Sequence, residues 1–211
     1  MKKQEIYDYL AGKQIWHEIV EHKAVFNMAE LSQIPIPYPD RDAKNLFVRD
    51  DKKRNYYLIT VKGDKKVDLK EFRQRNNTRA LSFASESDLM DRLHLLAGSV
   101  TPLGILNDEE RKVKVFLDRE FLDEPGLIGV HPNENTATVW MHATDLISVI
   151  EEHGNPIEVV SLWVLDAESL YCFVILWGYV VSDVVVVVLG CAGVDVYYAW
   201  RDLACCRVLE V

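Results

Sequence analysis

The sequence predicts an α+β fold: a single mixed-sheet domain flanked by helices at residues 1–160, with an anomalous apolar tail at 161–211. Three observations predict it. Strand-like and helix-like stretches alternate irregularly, with short hairpins and no βαβ repeat, which disfavours a doubly wound sheet. One stretch, "AKNLFVRDDKKRNYYLIT" at 43–60, reads as a β-hairpin. The composition then changes abruptly near residue 160.

The elements follow in order. Residues 3–11 read as a short helix ended by Gly12, and "IWHEIVEH" at 15–22 alternates as a strand does. "AVFNMAELSQI" at 24–34 has helical spacing, with Val25, Met28 and Ala29 inward. "PIPYPD" at 35–40 is a connector, since proline cannot sit in a central strand. In the hairpin, Leu46 and Val48 share one face, and a charged Asp-Asp-Lys-Lys-Arg-Asn turn leads into Tyr56–Thr60. A short helix is expected around 68–75. Ser85 and Asp88 then form an S-x-x-D capping box for a helix carrying Leu89, Leu93, Leu96 and Ala97, with Gly98 as its C′ glycine. Strands are expected at 112–118 and 136–141, a helix from a Thr144 cap to His153-Gly154, and another strand from Pro156.

At 211 residues the chain holds one sizeable domain, or a domain plus an appendage. With 49% hydrophobic and 27% charged residues, it has the composition of a soluble globular protein. The start, "MKKQEIYDYLAGKQIW", is basic but has no apolar core of a signal peptide, so the expected location is cytoplasmic. The net charge of −9 argues against a general DNA-coating protein. That charge is unevenly spread. Residues 41–79 hold 13 Lys/Arg against 6 Asp/Glu, a balance of +7, which leaves −16 for the remainder. Such a basic segment is either a solvated hairpin and loop or a local contact for a phosphate backbone.

The tail is different in kind. It contains all four cysteines (Cys172, Cys191, Cys205 and Cys206) and no lysine. Its apolar runs are interrupted by Asp183 and Asp195, whereas a spanning helix needs about 20 uninterrupted apolar residues. A buried pair of strands is one reading, although on a surface such strands would aggregate; a frameshifted or wrongly assigned sequence would also produce such a break. Adjacent Cys205-Cys206 fits no zinc spacing.

No Gly-rich phosphate loop, His-Cys metal set or nucleophile elbow is present, and the six histidines are scattered. The chemistry therefore rests on less conspicuous residues. "KNLFVRD" (44–50), "ALSFASESDL" (80–89), "GSVTPLGILND" (98–108) and "HPNENTATVWM" (131–141) occur in one order and spacing. Together they resemble the YbaK/ProX family of aminoacyl-tRNA editing domains. The Lys-Asn pair and the His-Pro-Asn-x-Asn-Thr motif look most like its freestanding alanyl-tRNA(Pro) deacylases. The resemblance covers about residues 1–160 and stops where the tail begins.

The resemblance implies a trans-editing hydrolase. A pocket large enough for proline admits alanine, and binding separates such pairs by only about 1–3 kcal/mol, so a second hydrolytic sieve is useful. It implies an α+β YbaK-like fold, no cofactor and no metal. The implied partners are mischarged tRNA(Pro) and prolyl-tRNA synthetase, with no membrane and no DNA. The matching lysine of the family is the residue most tied to activity, which makes Lys44, with Asn45, the catalytic expectation. If the strand is regular, Asn45 points to the opposite face from Lys44. Gly98, Ser99, Val100, Thr101 and Pro102 are expected to line the aminoacyl pocket as well as to close a helix and fix a loop. His131 is either a turn residue held extended by Pro132 or a polar wall of that pocket. Asn133 and Asn135 are expected to stitch the turn. Lys52, Lys53, Arg54, Arg73 and Arg75 are the expected tRNA contacts. One alternative is a non-catalytic module that binds tRNA or a synthetase through the basic 41–79 segment; another is a protein tethered to a membrane by its tail.

Overall fold

The computed structural model describes residues 1–24, 37–63 and 65–162, together with the backbone of 178–181, 184–191 and 194–200. The chain divides into two units, Met1–Trp163 and Val164–Val211. The first unit begins with α1 (Lys3–Gly12) and β1 (His17–Glu21). Next come the hairpin strands β2 (Ala43–Asp50) and β3 (Tyr56–Lys62), then α2 (Leu69–Arg75), β4 (Leu81–Phe83) and α3 (Glu86–Leu93). It closes with β5 (Val113–Asp118), β6 (Leu127–Val130), β7 (Ala137–His142), α4 (Ala143–His153) and β8 (Ile157–Val160). The expected helix at 24–34 falls almost wholly outside the described residues.

Five strands form a mixed sheet in the order β4-β2-β3-β5-β8. β2 runs antiparallel to both β3 and β4, whereas β5 is parallel to β3 and β8. A smaller antiparallel sheet has the order β1-β7-β6. One parallel bridge, Asp42 to Gly129, joins the start of β2 to β6.

The main core lies between the two sheets and the helices. Phe47, Leu58 and Val115 of the large sheet meet Val139 and Met141 of the small one, with Leu10 of α1 and Ile150 of α4. The other face of the large sheet carries a second cluster of Val48, Ile59, Val61 and Phe116, covered by Phe72 of α2. Phe72 meets Phe116 edge-on, with ring centroids 4.9 Å apart. Because successive strand side chains alternate, Phe47 enters one core and Val48 the other. β3 is covered on both faces, which explains its unbroken buried run Leu58–Val61.

Local chemistry sets the boundaries. The Asp50 carboxylate accepts hydrogen bonds from the Lys52 and Arg54 amides and from Asn55 Nδ2, closing the hairpin turn. Burial pushes this carboxyl up, but those donors outweigh it and hold it below the usual range. Asp68 caps α2 by accepting from Lys70 N and Glu71 N, and Ser85 with Asp88 forms the expected capping box on α3.

Two boundaries differ from the sequence reading. α3 ends at Leu93, because His94 turns left-handed at φ +53°. Leu95 thereby enters the core against Gly104, where a Cβ would lie 2.5 Å from Leu95 Cδ1. Leu96 is left 69% exposed, and Gly98, at φ +85°, serves a separate turn rather than the helix end. α4 starts at Ala143 with His142 at its N-cap, so Thr144 already lies inside the helix.

In the second unit the backbone forms three antiparallel strands, β9 (Gly178–Val181), β10 (Val184–Cys191) and β11 (Val194–Trp200), with β10 central. No helix among the described residues is long and apolar enough to cross a membrane.

Candidate active site

Lys44 and Asn45 open β2, and the pleat sends them to opposite faces. Asn45 lies on the main-core face, where its Oδ1 accepts from the buried Thr60 hydroxyl at 2.8 Å. Lys44 lies on the α2 face, half-buried, and its Nζ donates to the Lys65 carbonyl at 3.2 Å. The Lys65 ammonium is itself held by Asp118 and Glu120, each at 2.6 Å. The Lys44 ammonium has three N–H donors and engages one of them among the described residues.

The 98–102 loop and His131 come together directly. Ser99 Oγ donates back to the Leu96 carbonyl at 2.8 Å, closing the turn at Gly98. Val100 is half-buried against the main core. Thr101 Oγ1 donates to the His131 carbonyl at 2.7 Å, tying the loop to the β6–β7 turn. Pro102 starts a 3-10 turn that runs to Asn107. Among the described residues no hydrogen bond links Lys44 or Asn45 to this loop.

The His131 ring donates from Nδ1 to the Ala137 carbonyl at 2.9 Å, since a carbonyl only accepts. This fixes the tautomer and leaves Nε2 as a lone-pair acceptor. Burial pushes its pKa down; the Ala137 hydrogen bond opposes this, and the nearby His22 ring adds to it. The imidazole is therefore neutral at pH 7. His22 stands edge-on at 6.2 Å between ring centroids and contacts Thr138 Oγ1 through Nε2 at 3.1 Å. A neutral Nε2 can orient a water molecule or accept its proton.

Asn133 has φ +63°, as a turn asparagine can, but its side chain does not bond its own turn. Asn133 Nδ2 donates instead to the Met1 carbonyl at 2.8 Å, anchoring the N-terminus.

The basic residues split into two groups. Lys52, Lys53 and Arg54 are exposed at the hairpin tip, and no ion pair among the described residues reaches them. Arg73 and Arg75 occupy the last turn of α2, where Arg75 pairs with Glu71 at 2.5 Å.

Two residues near the site escaped the sequence reading. Asp42 sits in a charged run yet is buried, and His22 reaches the site only because β1 pairs with β7. No group of three or more His, Cys, Asp or Glu among the described residues is arranged to hold a metal.

Residues 22–149 match the model of the aminoacyl-tRNA editing domain. The chain belongs to the aminoacyl-tRNA editing domain family. Such a domain is a deacylase, a hydrolase of the aminoacyl ester. Its relatives include the prolyl-tRNA editing protein ProX of Acetoanaerobium sticklandii, 37% identical over 160 residues, covering 76% of this chain and 97% of that one. A prolyl-tRNA synthetase associated domain-containing protein of Danio rerio is 33% identical over 151 residues, covering 71% and 82% of the two chains. Among solved structures, a candidate trans-editing enzyme for prolyl tRNA synthetase aligns with TM-score 0.59 at 16% identity, over 76% of this editing-domain chain and 95% of that chain. This last likeness establishes the mixed α+β fold.

Proposed function

We propose that this editing domain hydrolyses tRNA(Pro) mischarged with alanine, acting as a freestanding domain of residues 1–160 and without a metal. The observation that carries the reading is the Thr101–His131 junction: a backbone-rich loop is clamped beside a neutral imidazole whose Nε2 is an acceptor. Backbone N–H groups of Gly98, Val100 and Thr101 suit a carbonyl or oxyanion, and His131 suits the attacking water. ProX is named a prolyl-tRNA editing protein, which supports tRNA(Pro) as the substrate. Lys44 supplies a cation on a rigid strand; Asn45, held on the opposite face by Thr60, reaches the same pocket only through a twist at the strand start. The hairpin-tip cations Lys52, Lys53 and Arg54, with Arg73 and Arg75, meet the tRNA backbone. The 161–211 tail is not required for catalysis.

The test is single-turnover deacylation of Ala-tRNA(Pro) at saturating enzyme, which separates chemistry from binding. Lys44→Ala is expected to slow it roughly 100-fold, the scale lost with one preorganised charge-stabilising group. Neutralising Lys52 and Lys53 should weaken binding and flatten its salt dependence, with bound substrate hydrolysed at nearly the wild-type rate. The opposite pattern would make Lys44 part of a binding surface and favour a non-catalytic module.

A further inference from the structure

Asp42 is a buried carboxylate with no hydrogen-bond or ion-pair partner among the described residues. It is 5% exposed, and its Oδ1 accepts no hydrogen bond. The cations around it are directed elsewhere. Arg41 donates to the carbonyls of Glu120 and Glu124, Lys44 to that of Lys65, and Lys62 pairs with Glu120. Burial, with the like charge of Asp40 added, pushes the Asp42 carboxyl up to about 7. An ionised carboxylate buried alone is costly, and it is relieved by a proton or by an incoming cation.

Its place in the fold indicates which cation. Asp42 lies two residues before Lys44 and is bridged to Gly129, which lies two residues before His131. It thus stands where the Lys44–Asn45 strand meets the strand leading to His131. The Trp140 ring covers Gly129 so closely that a Cβ there would lie 2.5 Å from it. The Trp140 Nε1–H is likewise buried without a partner. The Trp140 atoms that meet Gly129 are those of the benzo edge, Cε3, Cζ3 and Cη2, so the bridge at Gly129 locates Asp42 and not the indole Nε1. Buried unpaired polar groups are rare enough in native folds to need a cause. An aminoacyl ester offers the complement of such an acceptor, its α-ammonium.

We infer that Asp42 is a substrate-binding residue that receives the α-ammonium of the aminoacyl group. This rests on the editing reading above. The test compares tRNA(Pro) charged with alanine and with N-acetylalanine, which lacks the ammonium, on wild type and Asp42→Asn. Wild type is expected to prefer the free amine in kcat/KM by about 30-fold, within the range of a charge-assisted hydrogen bond. Asp42→Asn should cut that preference to within about 3-fold, through slower use of the alanyl substrate and a higher KM, with the N-acetylalanyl rate little changed. The variant should melt no lower than wild type at pH 8, because an amide carries no buried charge. If it does not fold, Asp42→Ser carries the same comparison. A wild type that hydrolyses both substrates equally, or a folded variant that keeps the wild-type preference, overturns the assignment of Asp42. A wild type that hydrolyses neither overturns the editing reading itself.

Discussion

Asp88→Asn should destabilise the protein through one carboxylate that joins three elements. Asp88 Oδ2 accepts from Arg49 of β2 at 2.7 Å and from the Ser85 hydroxyl at 2.6 Å, while Oδ1 accepts from the Tyr56 hydroxyl of β3 at 2.9 Å. Burial opposes ionisation, but the Ser85, Tyr56 and Arg49 contacts outweigh it and hold the carboxyl at about 2, against an ordinary 3.8. The pair is largely shielded from solvent, with 19% and 16% of the side chains exposed, so little of the effect is lost to screening. At ~1.4 kcal/mol per tenfold, the shift corresponds to roughly 2 kcal/mol of stability. The folded value lies below the unfolded one. The contribution is therefore complete above about pH 5 and is lost as the pH falls towards 2. Urea denaturation of the full chain at pH 7 should show Asp88→Asn destabilised by about 2 kcal/mol, or roughly 4–8 °C in Tm. At pH 2.5 the difference should shrink to about 1 kcal/mol. An equal loss at both pH values would show that the ionised carboxylate is not the source. A loss below about 0.5 kcal/mol at pH 7 would refute the network's contribution altogether.

Gly129→Ala should cost about 1–3 kcal/mol in chemical denaturation, because the new methyl meets the fully buried Trp140 ring. Gly104→Ala should cost less, since its methyl meets Leu95 Cδ1, the movable end of an aliphatic chain; equal costs would contradict the idea that the rigidity of Trp140 demands the glycine. Thr101→Val should cost about 1–3 kcal/mol by leaving the His131 carbonyl unpaired, and should slow deacylation by loosening the loop against the imidazole. Unchanged hydrolysis in a destabilised Thr101→Val would show that the junction serves folding alone.

Much of this architecture is legible where its cause is local. The 43–60 hairpin follows from alternation and a charged turn, and the Ser85–Asp88 box from spacing alone. The opposite facing of Lys44 and Asn45 follows from the strand period. What escaped is tertiary. α3 stops at Leu93 because Leu95 is needed against Gly104, a contact between two segments distant in helical phase. The four-residue strand β6 and three-residue β4 are too short to show a period, and their partners define them. Asp42 sits among Asp40, Arg41 and Lys44, and nothing in that polar run signals burial; the bridge to Gly129 produces it. The Thr101–His131 clamp joins residues thirty positions apart, so the resemblance could group them while their hydrogen bond could not be foreseen.

The most direct measurement of the central claim is hydrolysis of tRNA(Pro) charged separately with alanine, cysteine and proline, followed under single-turnover conditions with the full chain. Alanine should be lost rapidly and proline retained, because a hydrolytic sieve useful to a proline pocket must spare the cognate ester. Hydrolysis of proline at the same rate as alanine, or stability of all three esters, would contradict it.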